Sequence, residues 1–317
     1  MTASRLALSL GDPNGIGPEI VLKAAAELVP AQRERLTVFG PRCALEHAAQ
    51  VTGLHTTLAS LRLREAGPLV AGEHQPGVVS AAAGRSAVAS ASAAIRACQA
   101  GEFDAVVAGP HHETAIAQAG IRFSGYPGLV AQVCGEPEHS VFLMLVGGGL
   151  RIVHATLHES VSTALARLTP ELVVNAALAA HKACRAMGIV EPSLALFGVN
   201  PHASEGELFG PDDQRITVPA AERLRAMGLQ VAGPQGGDAL LADRATRPAD
   251  AYVAIFHDQG HIPVKLLAPQ AASALSIGAG VLLASTGHGS AMDIAGTGQA
   301  RPDALLRSLR LVSGWPT

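Results

Sequence analysis

Three segments of the chain share one design, an apolar run that ends on a histidine. They are Ile152-Val153-His154-Ala155-Thr156-Leu157-His158, Leu196-Phe197-Gly198-Val199-Asn200-Pro201-His202 and Val253-Ala254-Ile255-Phe256-His257. A buried strand in an open α/β sheet delivers its ligands at the carboxyl end. Three imidazoles brought to one point suit a transition metal and leave positions open for substrate oxygens. Mg²⁺ and Ca²⁺ favour more carboxylates than this set offers. The bland alternative is a strand-end histidine satisfied by a backbone carbonyl, and spacing alone leaves both readings open. The third segment continues as Asp258-Gln259-Gly260-His261-Ile262-Pro263-Val264-Lys265. Asp258 reads as a carboxylate orienting a metal-bound histidine, or as a strand-end cap. Lys265 reads as an acid/base group or an anchor for an anionic substrate. Its apolar neighbours Val264, Leu266 and Leu267 argue against a simply solvated lysine.

These side chains need elements to hold them. Leu6–Leu10 reads as a strand, 11–17 as a glycine-rich turn, and Pro18 as the opening of a helix, where its missing N–H does no harm. The turn lacks the G-x-G-x-x-G spacing of a dinucleotide fingerprint. Its glycines either let backbone approach a ligand or only serve the turn. Asp104–Ala108 is a strand running into Gly109-Pro110-His111-His112-Glu113-Thr114. Adjacent histidines point to different sides, so that pair does not chelate one ion unaided. Residues 141–146 and 151–157 read as paired strands joined by Gly147-Gly148-Gly149. Strands and helices alternate throughout, which predicts a mostly parallel sheet. Near the end, Gly287-His288-Gly289-Ser290-Ala291-Met292-Asp293 reads as a small-residue loop whose backbone and aspartate contact a ribose or adenine. It also fits a helix start capped by Ser290, with Asp293 at the third position.

Composition narrows the function classes. A chain of 317 residues, 48% hydrophobic and 15% charged, buries a large core and has room for two domains. Net charge is −3 and aromatics are 3%, which argues against nucleic-acid partners. The apolar runs are too short for a membrane span, and Met1–Leu10 lacks the apolar core of a signal peptide. Cys43, Cys98, Cys134 and Cys184 form no C-x-x-C pair and read as reduced core residues of a cytoplasmic protein.

Four ordered motifs carry a resemblance. GDPNGIGPE (11–19), NPHASEGELFG (200–210), HDQGHIPVK (257–265) and HGSAMDIAGTG (288–298) resemble the 4-hydroxythreonine-4-phosphate dehydrogenase family over nearly the whole chain. The last motif also resembles the adenine-side loop of isopropylmalate dehydrogenases. The resemblance implies a two-domain α/β/α sandwich of the isopropylmalate dehydrogenase-like type, with the active site in the interdomain cleft at a dimer interface. It implies a first α/β domain at 1–130 and 290–317, and a second at 131–289 carrying most metal ligands and dimer contacts. It also implies a homodimer that binds a divalent metal through His158, His202 and His257, drawn from both subunits. NAD is the implied cofactor, with Gly289, Ser290, Ala291 and Asp293 at its adenosine end. Lys265 and Asp258 are the implied catalytic residues. Three imidazoles favour Zn²⁺, with Co²⁺, Fe²⁺, Mn²⁺ or Mg²⁺ as alternatives. The implied reaction is oxidation of a β-hydroxy acid followed by loss of CO₂.

The departures from that family bear on the substrate. Its vitamin B6 members carry Gly-His-Thr-Glu where this chain has Gly125-Tyr126-Pro127-Gly128, and an Asn and an Arg where it has Ala274 and Leu283. Phosphate recognition depends on Arg forks and dense donors. GPHHETAI (109–116), FSGYPGL (123–129) and FLMLVGGGLRIVHATLHESV (142–161) resemble instead the terephthalate dihydrodiol dehydrogenase branch. That resemblance implies a small anionic substrate, 1,2-dihydroxy-3,5-cyclohexadiene-1,4-dicarboxylate, oxidised and decarboxylated to 3,4-dihydroxybenzoate. The alternatives are a phosphorylated hydroxy acid as substrate, or a non-catalytic protein that binds a metal or a small acid.

Overall fold

The computed structural model describes residues 4–70, 72–246, 248–269 and 271–314. The strands in chain order are β1 (Leu6–Ser9), β2 (Leu36–Gly40), β3 (Arg62–Glu65), β4 (Ala105–Ala108), β5 (Val141–Gly147), β6 (Leu150–His154), β7 (Leu194–Phe197), β8 (Val231–Gln235), β9 (Ala251–Ala254), β10 (Ser273–Gly278) and β11 (Val281–Ser285). The chain divides into two compact units. Met1–Glu138 and Ala279–Thr317 form one, and His139–Gly278 forms the other.

In the first unit the strands run in the order β3-β2-β1-β4-β11, and every pair is parallel. β1 and β4 are buried along their whole length, as strands covered on both faces must be. The helix Ala81–Gln99 covers this sheet with small residues. Ser80 caps it by accepting from Ala83 N at 3.2 Å. The backbone at Gly84 comes so close to the Ala115 carbonyl that a Cβ there would sit 2.2 Å from its oxygen.

The second unit has the order β10-β5-β6-β9-β7-β8. β5 runs antiparallel to both β10 and β6, while β6, β9, β7 and β8 are mutually parallel. β5 and β6 are joined by the two-residue turn Gly148-Gly149, with φ of 59° and 79°. A two-residue hairpin turn with positive φ at both positions matches the right-handed strand twist. The mostly parallel expectation therefore fails locally at β5. The hairpin itself is where the sequence placed it, but β6 ends at His154 instead of Leu157 because the chain leaves the sheet at Ala155. β9 also ends early. Phe256 is an N-cap, and the polar stretch after it is a helix, His257–Leu267, rather than a strand-end turn. Among the described residues, no helix is long and apolar enough to cross a membrane.

Candidate active site

In the second unit, β6 and β9 lie side by side and both end at the same edge. Beyond them, Ala155 N donates to Ala254 O at 2.8 Å, and Thr156 donates to Ile255 O through N at 3.1 Å and Oγ1 at 2.7 Å. These bonds carry the β6 exit across the β9 exit. The rings of His158 and His257 come to 5.6 Å between centroids. The helix that starts at His257 is set by Gln259. Its Oε1 accepts from Ile255 N and Phe256 N at 2.8 and 3.0 Å, and its Nε2 donates to Gly198 O at 3.0 Å. This is the reach-back half of a capping box, and it also ties the β9 end to the β7 end.

The His257 side chain is 35% exposed, and its Nδ1–H donates to Asp258 Oδ1 at 2.7 Å. That bond leaves the Nε2 lone pair of the neutral ring available to an external acceptor of electrons, such as a metal. Burial and the neighbouring His257 push the His158 pKa down, which keeps that ring neutral and able to ligate. Two further histidines complete the cluster. His154 Nδ1 lies 3.0 Å from Leu143 O, and a carbonyl only accepts, so Nδ1 carries the proton. His154 Nε2 must then accept from His261 Nδ1–H at 3.0 Å. The His261 ring in turn stacks on His257, 3.7 Å between centroids and 13° between planes. Burial pushes His154 down to about 3 against the pull of the Leu143 carbonyl. Burial, and then His257, take His261 to about 4.

His202 stands elsewhere. It lies in a left-handed turn after β7, exposed, with its ring 5.9 Å from Phe209. Among the described residues, no group of three or more His, Cys, Asp or Glu is placed to hold a metal. One chain thus gathers two of the three expected imidazoles, with His202 apart. Lys265, two turns beyond His257, is exposed, and its apolar neighbours do not shelter it. Val264 is buried, but Leu266 is 77% exposed.

In the first unit, the loop 287–293 is held by the turn after β1. Ile16 N donates to Ser290 O at 2.9 Å. Gly15 faces Ser290 so closely that a Cβ would be 2.7 Å from the serine Cβ. Ser290 is buried, Ala291 has a left-handed φ of 42°, and Gly289 and Asp293 are exposed. No helix starts here; the next begins at Asp303, so Ser290 is not a helix cap. Farther along, Glu19 accepts from Gly298 N and Ala300 N at 3.2 and 2.8 Å and pairs with Lys23 at 2.8 Å. Lys23 Nζ donates to the carbonyls of the same two residues. Asn14 holds the opposite side by donating to Val78 O and accepting from Gln75 N, both at 2.9 Å. Asp12, in the turn after β1, is fully buried. Its Oδ1 accepts from Asn14 N at 2.9 Å, and Oδ2 has no partner among the described residues. Burial raises its pKa from 3.8 to about 6.

His111 and His112 turn to different partners, as adjacent residues do. His112 caps the following helix, while His111 meets Phe123 and Tyr126 edge to face at 4.7 and 5.0 Å. The Tyr126 hydroxyl is committed to Gly109 O at 2.8 Å and lies buried.

A match to the family described as pyridoxal phosphate biosynthetic protein PdxA spans residues 16–312. The chain belongs to the PdxA family. It is 59% identical over 312 residues, 98% of each chain, to the 1,2-dihydroxy-3,5-cyclohexadiene-1,4-dicarboxylate dehydrogenase of a Comamonas species. Among solved structures, it is similar to a terephthalate 1,2-cis-dihydrodiol dehydrogenase from Burkholderia xenovorans LB400, at 50% identity and a TM-score of 0.81 over 98% of both chains. It is also similar to a 4-hydroxythreonine-4-phosphate dehydrogenase from Burkholderia phymatum, at 30% identity and a TM-score of 0.86 over 99% of this chain and 98% of that one.

In this PdxA-family chain, sequence reasoning missed Asp12, His154, His261 and Gln259. His154 and His261 lie 107 residues apart, so no local pattern joins them. A usable signal was Gly260, a glycine inside a helix. A Cβ there would stand 2.3 Å from His154 Nε2 and 2.9 Å from Ile152 Cγ2. Gly260→Ala is expected to part the His154–His261 bond and cost about 1–3 kcal/mol of stability, typical for overpacking. Denaturant unfolding measures this, and an unchanged midpoint would show that the helix accommodates the methyl without strain.

Proposed function

We propose that this protein is an NAD-dependent, metal-requiring dehydrogenase that oxidises and decarboxylates a cis-dihydrodiol dicarboxylate. The observation that carries the reading is the 59% identity to a dihydrodiol dicarboxylate dehydrogenase, matched among solved structures by 50% to a dihydrodiol dehydrogenase against 30% to a 4-hydroxythreonine-4-phosphate dehydrogenase of the same fold. The substrate is 1,2-dihydroxy-3,5-cyclohexadiene-1,4-dicarboxylate. Its secondary hydroxyl carbon is β to a carboxylate. Loss of hydride and proton gives a β-keto acid, and loss of CO₂ leaves the enolate of an aromatic ring. Protonation on oxygen yields 3,4-dihydroxybenzoate, and aromaticity drives the step.

His158 and His257 hold the divalent metal, and His202 of a second subunit completes the set, so the working form is a homodimer. A divalent ion there supplies Lewis-acid polarisation of a substrate oxygen, and the imidazole set favours Zn²⁺. Asp258 fixes the His257 tautomer through the 2.7 Å bond, which keeps Nε2 free for ligation. His154 and His261 brace the His257 ring from behind in their neutral forms, so no imidazolium repels the ion. Lys265 supplies the positive charge for a substrate carboxylate or moves the proton at the reacting oxygens. NAD⁺, when bound, would supply the hydride acceptor. Gly289, Ser290, Ala291 and Asp293 receive its adenosine, with the loop backbone held by the bond from Ile16 N to Ser290 O and by the close approach of Gly15.

The test is a comparison of NADH formation with two substrates on metal-loaded protein. The dihydrodiol dicarboxylate is expected to give one NADH and one CO₂ per 3,4-dihydroxybenzoate. Turnover of 4-hydroxythreonine 4-phosphate alone would reject this substrate in favour of the phosphorylated hydroxy acid.

A further inference from the structure

The turn that carries His202 is built in an unusual way. His202, Ala203, Ser204 and Glu205 are four successive non-glycine residues with φ of 54°, 53°, 66° and 39°. Left-handed backbone pushes Cβ against the neighbouring carbonyl, and residues other than Gly, Asn and Asp seldom adopt it. Such a run persists only where its surroundings over-determine it.

The surroundings converge on Asp213. This carboxylate is fully buried in the second unit. Oδ1 accepts from Val199 N at 2.8 Å and Thr217 Oγ1 at 2.5 Å. Oδ2 accepts from Asn200 N at 3.0 Å and Ser204 Oγ at 2.7 Å. Four donors fill the acceptor capacity of an ionised carboxylate. They grip the chain on both sides of His202, at 199–200 before it and at 204 after it. Asn200 Nδ2 adds a bond to Ser204 Oγ at 3.2 Å. Gly198 lies under the turn, where a Cβ would meet Ala203 Cα at 2.7 Å. None of these bonds uses the His202 ring, which stays exposed.

We infer that Asp213 is a positioning residue whose task is to hold this left-handed turn and so present the His202 imidazole to the metal. The inference rests on the proposed role of His202 as a ligand. An amide in place of the carboxylate would turn an N–H₂ toward groups that themselves donate, so the turn would lose its anchor on one side.

The experiment measures Zn²⁺ affinity of the full-length protein by competition with a chromophoric chelator, alongside thermal unfolding. Asp213→Asn is expected to weaken Zn²⁺ binding about 10- to 100-fold, the usual effect of removing support behind a ligand. Two further variants separate positioning from bulk stability. Ser204→Ala and Thr217→Val each delete one bond to Asp213, but only Ser204 lies in the turn. Ser204→Ala is expected to weaken Zn²⁺ binding, whereas Thr217→Val lowers the unfolding temperature and leaves affinity unchanged. Wild-type affinity in both Asp213→Asn and Ser204→Ala would overturn the inference. If Asp213→Asn fails to fold, the contrast between the other two variants decides alone. His202→Ala distinguishes the two levels of the argument. Undiminished Zn²⁺ binding in that variant would reject His202 as a ligand, and the role of Asp213 with it. Loss in His202→Ala but not in Ser204→Ala or Asp213→Asn would reject only the latter.

Discussion

His257→Ala is expected to abolish stoichiometric metal binding and lower kcat/KM by about 10³-fold or more, in a protein that still folds. The size follows from the chemistry assigned to the ion. Lewis-acid stabilisation of developing charge is worth several kcal/mol, and about 4 kcal/mol is three decades of rate. The folding part follows from position. His257 opens its helix, is partly exposed, and its ring donates to the adjacent Asp258. The helix start is secured by Gln259, not by this ring. Metal content by atomic emission and far-UV circular dichroism check the two halves. Wild-type turnover in metal-depleted His257→Ala protein would refute the metal role.

A second large effect belongs to Asp12. Its pKa is raised from 3.8 to about 6 because burial penalises the charged form and Oδ2 lacks a partner among the described residues. The folded state therefore holds this proton more tightly than the unfolded chain does. Stability is higher below about pH 4 by the value of the shift and falls as pH rises toward 6. A shift of that size corresponds to about 3 kcal/mol. Asp12→Asn removes the ionisation and keeps an oxygen for Asn14 N. The amide carries its own fixed offset, which cancels when one variant is compared at two pH values. The unfolding free energy of Asp12→Asn relative to wild type is expected to increase by up to about 3 kcal/mol between pH 4 and pH 7. Urea unfolding at both pH values measures it, and a pH-independent difference would show that Asp12 is not strained by its charge.

The parts of this site that were legible in the sequence are those written by local patterns. An apolar run followed by a polar cluster marked β6, β7 and β9 to within about three residues of their carboxyl ends, with His158, His202 and His257 following them. Glycines in 11–17 and 287–298 marked two segments whose backbones do approach each other closely, at Gly15 and Ser290. What stayed hidden depends on contacts between distant residues. His154 reads as one more strand residue until β6 lies against the helix carrying His261. The reversed strand β5 was implied by its glycine turn, yet its partner β10 is more than a hundred residues away. Apolar flanks at Lys265 misled because Leu266 and Leu267 point outward in this chain. Helical periodicity in 257–267 was masked by Gly260 and Pro263, both poor helix formers inside a real helix.

The pairing of β5 with β10 has an architectural consequence. Val141 and Gly278 sit opposite each other in that ladder, so the second unit begins and ends at one place. Topologically it is an insert with adjoining ends, the arrangement that tolerates excision and grafting because closing such a loop asks little of the chain. All four histidines of the β6 and β9 exits, together with His202, Asp213 and Lys265, travel inside that insert. The segments assigned to the nucleotide travel outside it. The proposed metal ligands thus lie together in the insert, and the proposed cofactor loops lie in its host.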